Sequence, residues 1–422
     1  MPQQNRFRLR RRALSGFVLL GTLALGAIPA LAAGGPDVTV FTLGSTTRWG
    51  QVGNIIGYSV GTTSCNIGTT PVAWCDAGTC LGGTLQSNDH PVIAQNMYRL
   101  KDGRFTQIGM SWLKHGWLST NSGGSNSGCG VGVCTIPPGG GDQLGVGCTD
   151  TYDSSLNGGS GNPGTCDSGS CRLGQRSAVN ATTGDFLMPY VNIAHPATID
   201  QRLQVNVNDV DPGLAANIGA LYFVEGQYIG GDDGAAGNAF NNASYRPVTI
   251  GASPFNLSLA GSTVRLKSAL YGWLANDPQP DPDPDPNDGV VITNQDFCVS
   301  PVERFEVGRK VTGPIAGVWH YEYAVHNMNS DHSAGSFSVD FPDGTAITNV
   351  GFHDVDSHSG EPYATTEWTS AVDAGTGTVS WTSETYATNN NANALRFATM
   401  YSFWFDATAP GSSATHSIGL FK

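Results

Sequence analysis

Val318-Trp319-His320-Tyr321-Glu322-Tyr323-Ala324-Val325-His326 alternates in character with a period of two. Trp319, Tyr321, Tyr323 and Val325 point one way; His320, Glu322, Ala324 and His326 point the other. That is a strand with one face in a core and one face in water. Phe397 to Asp406 is apolar on both faces, with Tyr401, Phe403 and Phe405 against Met400 and Trp404, which predicts a strand flanked on both sides. About nine such short runs follow residue 288, within 134 residues, the number and spacing of a β-sandwich. No amphipathic helical window of useful length occurs anywhere, so the chain is predicted to be nearly all-β.

Upstream the pattern loosens without changing class. From Val38 to Leu113 short apolar runs alternate with Gly, Thr, Ser and Asn turns, as in a β domain. From Ser119 to Gly184 the chain is rich in Gly, Ser, Asn and Cys and has almost no periodicity. A loop of that length needs another source of order. Five cysteines within it supply that order, and eight of the chain's nine lie between Cys65 and Cys171. Cys75/Cys80, Cys129/Cys134 and Cys166/Cys171 share one spacing, so three local bridges are the simplest expectation, with Cys298 a free buried thiol. A zinc reading prefers a closer cysteine spacing and a histidine nearby, and Cys129 to Cys171 holds none. Asp277 to Asp288 places proline at alternate positions among aspartates and reads as a semi-rigid spacer. The expected organisation is a signal peptide (1–32), a Cys-rich, disulfide-stapled β domain (33–276), an acidic Pro linker (277–288) and a β-sandwich (289–422) able to fold alone.

Residues 1–32 have the form of an export signal. Five arginines between Arg6 and Arg12 precede an apolar run from Ala13 to Leu31, and Ala30-Leu31-Ala32 offers a cleavage site. Arg10-Arg11-Arg12 also fits a loose twin-arginine pattern. The run is broken by Ser15, Gly16, Gly21, Gly26 and Pro29, and no other stretch spans a bilayer. A secreted, periplasmic or cell-surface location is expected, with no membrane span after the signal is removed. Charge narrows the partners. Losing those five of 21 basic residues leaves 16 against 34 acidic ones, a net of −18. Such a field repels nucleic acid and anionic surfaces and suits cations, neutral polymers, neutral surfaces or small molecules. Glycine is 56 of 422 residues and charged residues are 13%, against roughly 25% charged in average usage. That composition excludes coiled coils and basic nucleic-acid binders, and no nucleotide cofactor is expected.

Several constellations could carry chemistry. His320 and Glu322 share the polar face of their strand roughly 7 Å apart, a gap one metal can bridge. His353-Asp354-Val355-Asp356-Ser357-His358, with Glu361 beyond, gathers potential ligands in one loop, and imidazole with carboxylate suits zinc, copper or iron; a solvated polar loop is the plainer alternative. Lys101-Asp102-Gly103-Arg104 is the strongest hairpin signal. Counting outward from its two-residue turn sets Leu100 opposite Phe105 and His90 opposite His115, close enough to share a metal unless a bulge slips the register. Gly230-Gly231-Asp232-Asp233-Gly234, with Asn238, Asn241 and Asn242, is oxygen-rich enough for calcium but lacks the order of a calcium loop. Gly57-Tyr58-Ser59-Val60-Gly61 matches a nucleophile elbow, yet no helix follows it, as that motif requires. His416 shares a strand face with Ile418 and Leu420 and reads as a core or rim residue.

The segments His90–Arg104, Gly147–Tyr152 and Gly351–His358 resemble those of a family of exported, glycine-rich bacterial proteins with no assigned function. The resemblance implies secretion and assigns no residue a role. Two function classes remain. The favoured one is a secreted or cell-surface binding or structural protein, able to hold a divalent metal (Zn, Cu, Fe or Ca). The alternative is a metal-dependent extracellular enzyme acting on a neutral polymer or small molecule, with His90, His115, His320, Glu322, His353, Asp356 and His358 as candidate ligands.

Overall fold

The computed structural model describes residues 34–74, 90–115, 119–123, 129–156, 173–186, 198–278, 289–297 and 301–422. Within this region the chain is nearly all β. Its α-helices are three short ones: Val207–Val210, Gly231–Ala235 and Leu270–Ala275. The expectations for the signal segment, for Cys75, Cys80, Cys166, Cys171 and Cys298, and for most of the Asp/Pro linker lie outside the described residues.

An eleven-stranded sheet dominates the first half. Its path runs Val38–Val52, Ile55–Asn66, Leu203–Asn206, Arg104–Met110, Val92–Lys101, Leu221–Ile229, Ala243–Ile250 and Leu257–Leu259. The second half is a sandwich. A five-stranded sheet (Val290–Phe297, Glu303–Ile315, Val318–Asn327, Met400–Ala407, Ile347–His353) faces a four-stranded one (Thr369–Asp373, Thr378–Thr382, Ala334–Asp340, Thr415–Leu420). Met400–Ala407 pairs with a strand on each edge, as its two-sided apolar pattern predicts. The sandwich core is aromatic. Phe337 and Phe403 rings lie 4.6 Å apart, and Tyr321 stacks on Phe405 at 4.8 Å. Such pairs add to the burial of their large apolar area.

The Val318–Asn327 strand corrects one expectation. Its core face is Tyr321, Tyr323 and Val325, as read, but its other face is not in water: Glu322, Ala324 and His326 are buried. The hairpin of the first half covers them. Ser402 Oγ donates to the Phe105 carbonyl at 2.8 Å, and the Met400 N–H donates to Gln107 Oε1 at 2.7 Å. Tyr98, Phe105, Phe223 and Trp273 of the first half form one apolar cluster with Val290, Ala324 and Met400 of the second. Alternation reports two faces; it does not report what lies against them. The two halves are joined through their own buried surfaces, on either side of the spacer.

The hairpin turn forms as predicted, with Asp102 and Gly103 both at positive φ (51° and 85°), as a type I′ turn requires. Leu100 faces Phe105. The register then slips: Tyr98 faces Gln107 but Met97 faces Gly109, leaving Ile108 as a bulge. Beyond it the Trp112 N–H leaves the ladder and donates to the Gln201 carbonyl. His115 therefore pairs with Val92, and His90 has slid two positions past it.

The disulfides also depart from the local pattern. Cys65 is bridged to Cys129 and Cys134 to Cys148, with Cα–Cα distances of 5.9 and 4.3 Å. The expected Cys129–Cys134 loop is absent. Pairing of Ile55–Asn66 with Thr149–Tyr152 sets Cys65 opposite Thr149, beside Cys148. The 129–134 segment lies against this pair, so each of its cysteines meets a strand cysteine. The glycine-rich region is thereby stapled to the main sheet.

Candidate functional site

A cleft of about 400 Å³ opens where the two halves meet. The bulged hairpin strand contributes Gln107, Ile108 and Gly109, and Leu203–Asn206 contributes Gln204 and Asn206. Asp209 comes from the helix Val207–Val210, capped by the Asn206 side chain accepting from the Asn208 N–H. The opposite wall is the end of the strand Ile347–His353 and the loop after it: His353, Asp354, Asp356, Ser357, Ser359, Thr365 and Glu367. Gly109 lets the two strands of this wall pack closely against each other. A Cβ on Gly109 would stand 2.4 Å from the Gln204 carbonyl oxygen.

The cleft is acidic. Four carboxylates line it, and no Lys or Arg does; Arg99 touches Asp209 from behind at 3.2 Å. Burial raises the Asp209 carboxyl, with the Arg99 guanidinium opposing. Burial likewise raises Asp354, opposed by the amide of Asn393. Glu367 rises through burial and through repulsion from Asp354 and Asp356. Burial lowers His353, so its imidazole is neutral near pH 7. Its Nε2 lies 3.3 Å from the Gln107 carbonyl. A carbonyl accepts only, so Nε2 carries the proton and Nδ1 holds the lone pair.

Of the residues singled out from sequence, His353 and Asp356 line this cleft together. His358 does not, because its ring is turned into the wall. Its Nδ1 meets the Ser359 carbonyl at 2.6 Å and its Nε2 the Arg202 carbonyl at 2.9 Å. His320 and Glu322 do meet, but as a hydrogen-bonded pair at 2.9 Å. The other His320 nitrogen is 2.6 Å from Asp406, and Arg104 grips Glu322 with two bonds of 2.8 Å. Both His320 nitrogens are thus engaged by carboxylates. His90 is buried against Phe186, with ring centres 4.9 Å apart, and burial pulls it down to about 3. Among the described residues, no three side chains of His, Cys, Asp and Glu converge closely enough to hold a metal ion.

Ser59 lies within the strand Ile55–Asn66, where its hydroxyl donates to the Ser154 carbonyl and accepts from Trp49 Nε1. It is not on an elbow. His416 packs among Tyr323 and Phe337, a rim position as read. Sequence reasoning missed Asp209, Gln107, Gln204 and Glu367, which carry no motif and reach the cleft only through strand pairing. It also missed Arg176, fully enclosed between the halves. Arg176 donates to the carbonyls of Ser111, Ala398 and Gln95 and to Asn96 Oδ1. Burial lowers its guanidinium to about 10, still protonated at neutral pH.

No family model matches the chain, and no curated protein matches it. Among the described residues no helix is long and apolar enough to cross a membrane.

Proposed function

We propose that this is an exported, all-β binding protein whose acidic cleft takes a neutral, hydroxyl-rich ligand, such as a saccharide unit of a polymer or a small polyol. The supporting observation is the chemistry of the lining. Carboxylates of Asp354, Asp356 and Glu367 accept hydrogen bonds from hydroxyls, the Asn206 amide nitrogen donates, Ser357 and Thr365 add hydroxyls, and Gln204, bonded at both ends of its amide to Ser359, ties the two walls together. Without a cation in the lining, an anionic ligand meets only repulsion. The bridges Cys65–Cys129 and Cys134–Cys148 suit an oxidising compartment, in keeping with the export signal read at residues 1–32.

The test is binding of the purified full chain to a panel of neutral and anionic glycans, followed by calorimetry on any hit. A neutral glycan is expected to bind, and Asp356→Ala with Gln204→Ala is expected to weaken it at least tenfold. Preference for sulfated or uronate-rich polymers, or no binding to any neutral glycan, would refute the reading.

One observation favours a second reading, a metal-dependent hydrolase. His353 and the carboxylates of Asp209, Asp354, Asp356 and Glu367 line one cleft, donor types that suit zinc, copper or iron with one carboxylate left as base, although no three of them converge on one point in this arrangement. Elemental analysis separates the two readings. A stoichiometric transition metal, lost in His353→Ala, supports the enzyme; calcium alone or no metal leaves the binding protein.

A further inference from the structure

The start of the first strand is anchored by an unusual group of oxygens. Asp37 has no exposed surface. Its Oδ2 accepts from Asn241 Nδ2 at 3.1 Å, and its buried Oδ1 has no hydrogen-bond partner. Asp233, equally buried in the short helix Gly231–Ala235, accepts the Val38 N–H at 2.9 Å and Asn242 Nδ2 at 2.6 Å. The side-chain oxygens of Asn241 and Asn242 are buried and also without a partner. Asn242 is 1% exposed.

One carboxylate oxygen and two amide oxygens of this buried group thus lack a donor. Among the described residues, no Lys or Arg forms an ion pair with Asp37, Asp232 or Asp233. Burial raises Asp37 to about 6 and pushes Asp233 well above the carboxylate range, with Asp37 and Asp232 adding repulsion. Buried charge of one sign is costly without a counter-charge, and buried acceptors without donors add to the cost.

We propose that a calcium-class divalent cation binds between Asp37 and Asp233, drawing on Asp37 Oδ1 and the amide oxygens of Asn241 and Asn242. The donors are all oxygen, which favours a hard cation over zinc or copper. Two carboxylates are too few to hold it alone; amide and main-chain oxygens complete the shell, as calcium accepts and small, rigidly octahedral magnesium does not. So low a ligand charge places affinity in the range of extracellular modules, on the order of 0.1–1 mM. The ion clamps the Val38–Val52 strand to the Gly231–Ala235 helix, far apart in sequence, and so stabilises the edge of the main sheet. This site is separate from the cleft and rests on different residues.

The experiment uses the full chain, stripped with chelator and titrated with calcium chloride, read by calorimetry and thermal unfolding. One saturable site and a rise in Tm of several degrees are expected. Asp37→Asn keeps shape and the bond to Asn241, so it is expected to melt no lower than wild type in chelator, to bind calcium at least tenfold more weakly and to lose most of the Tm rise. Asp354→Asn, in the cleft, keeps the full response. No calcium response in wild type, an unchanged response in Asp37→Asn, or its loss in Asp354→Asn would each overturn the proposal. Should Asp37→Asn not fold, terbium binding to wild type decides. The Ala73 N–H donates to Asp232 at 2.8 Å, placing neighbouring Trp74 to sensitise a bound lanthanide. Luminescence displaced by calcium is expected, and its absence overturns the site.

Discussion

Arg104, at the base of the Asp102–Gly103 turn, forms a two-pronged ion pair with Glu322, both N···O distances being 2.8 Å, and lies 3.4 Å over the Trp404 ring. The pair fastens the hairpin of the first half to the central strand of the second. Glu322 is 6% exposed at its side chain, so losing Arg104 leaves a buried carboxylate with His320 alone. Arg104→Ala is expected to cost about 2–3 kcal/mol, measured by denaturant unfolding. A change within about 0.5 kcal/mol, as at an ordinary surface site, would show that the pair does not fasten the halves.

The same network carries a pH dependence. The hydrogen bond to Glu322, with that to Asp406, raises His320 above its ordinary 6.5, against burial. A raised histidine stabilises the fold fully below its unfolded value and loses that contribution as pH climbs through the folded one. The Tm gap between wild type and His320→Gln is therefore expected to be largest near pH 5.5 and to close above neutrality. A gap that widened with pH would contradict this sign.

Gly351 supports Arg104 from behind. A Cβ there would lie 2.0 Å from the Trp404 ring, the ring on which the guanidinium rests. Gly351→Ala is expected to cost at least about 2 kcal/mol through overpacking. Its effect combined with Arg104→Ala is expected to be less than the sum, since one ring links them. Strict additivity in a double-mutant cycle would separate the two.

Arg176→Met removes four hydrogen bonds from one buried guanidinium and leaves the carbonyls of Ser111, Gln95 and Ala398 without it. A loss of about 3–5 kcal/mol is expected, seen as a lower melting temperature and a smaller soluble fraction. Near-wild-type melting would mean that water replaces the guanidinium at little cost.

For the staples, non-reducing peptide mapping is expected to recover Cys65–Cys129 and Cys134–Cys148. Cys134→Ser with Cys148→Ser opens a loop of sequence separation 14 and is expected to cost about 3 kcal/mol. A Cys129–Cys134 peptide would contradict the strand arrangement around Cys65.

Much of the fold was legible because β-structure writes locally. The alternation in Val318–His326, the two-sided apolar run at Met400–Phe405 and the Asp102-Gly103 turn follow from side-chain period and backbone φ, which neighbouring residues set. The reading of residues 1–32 as an export signal rests on a run of composition alone. What the sequence left open is everything set by long-range pairing. The Ile108 bulge and a second slip at Trp112 together moved His115 from His90 to Val92, because each unpaired residue shifts all partners beyond it by one. The polar face of Val318–Asn327 was buried by a hairpin some two hundred residues earlier, and Cys129 met Cys65 because Thr149–Tyr152 paired beside it. In the cleft, His353 and Asp356 were visible as a loop motif, whereas Asp209 and Gln204 arrived through sheet order. Local period fixes which way a side chain points; only the packed sheets decide what it points at.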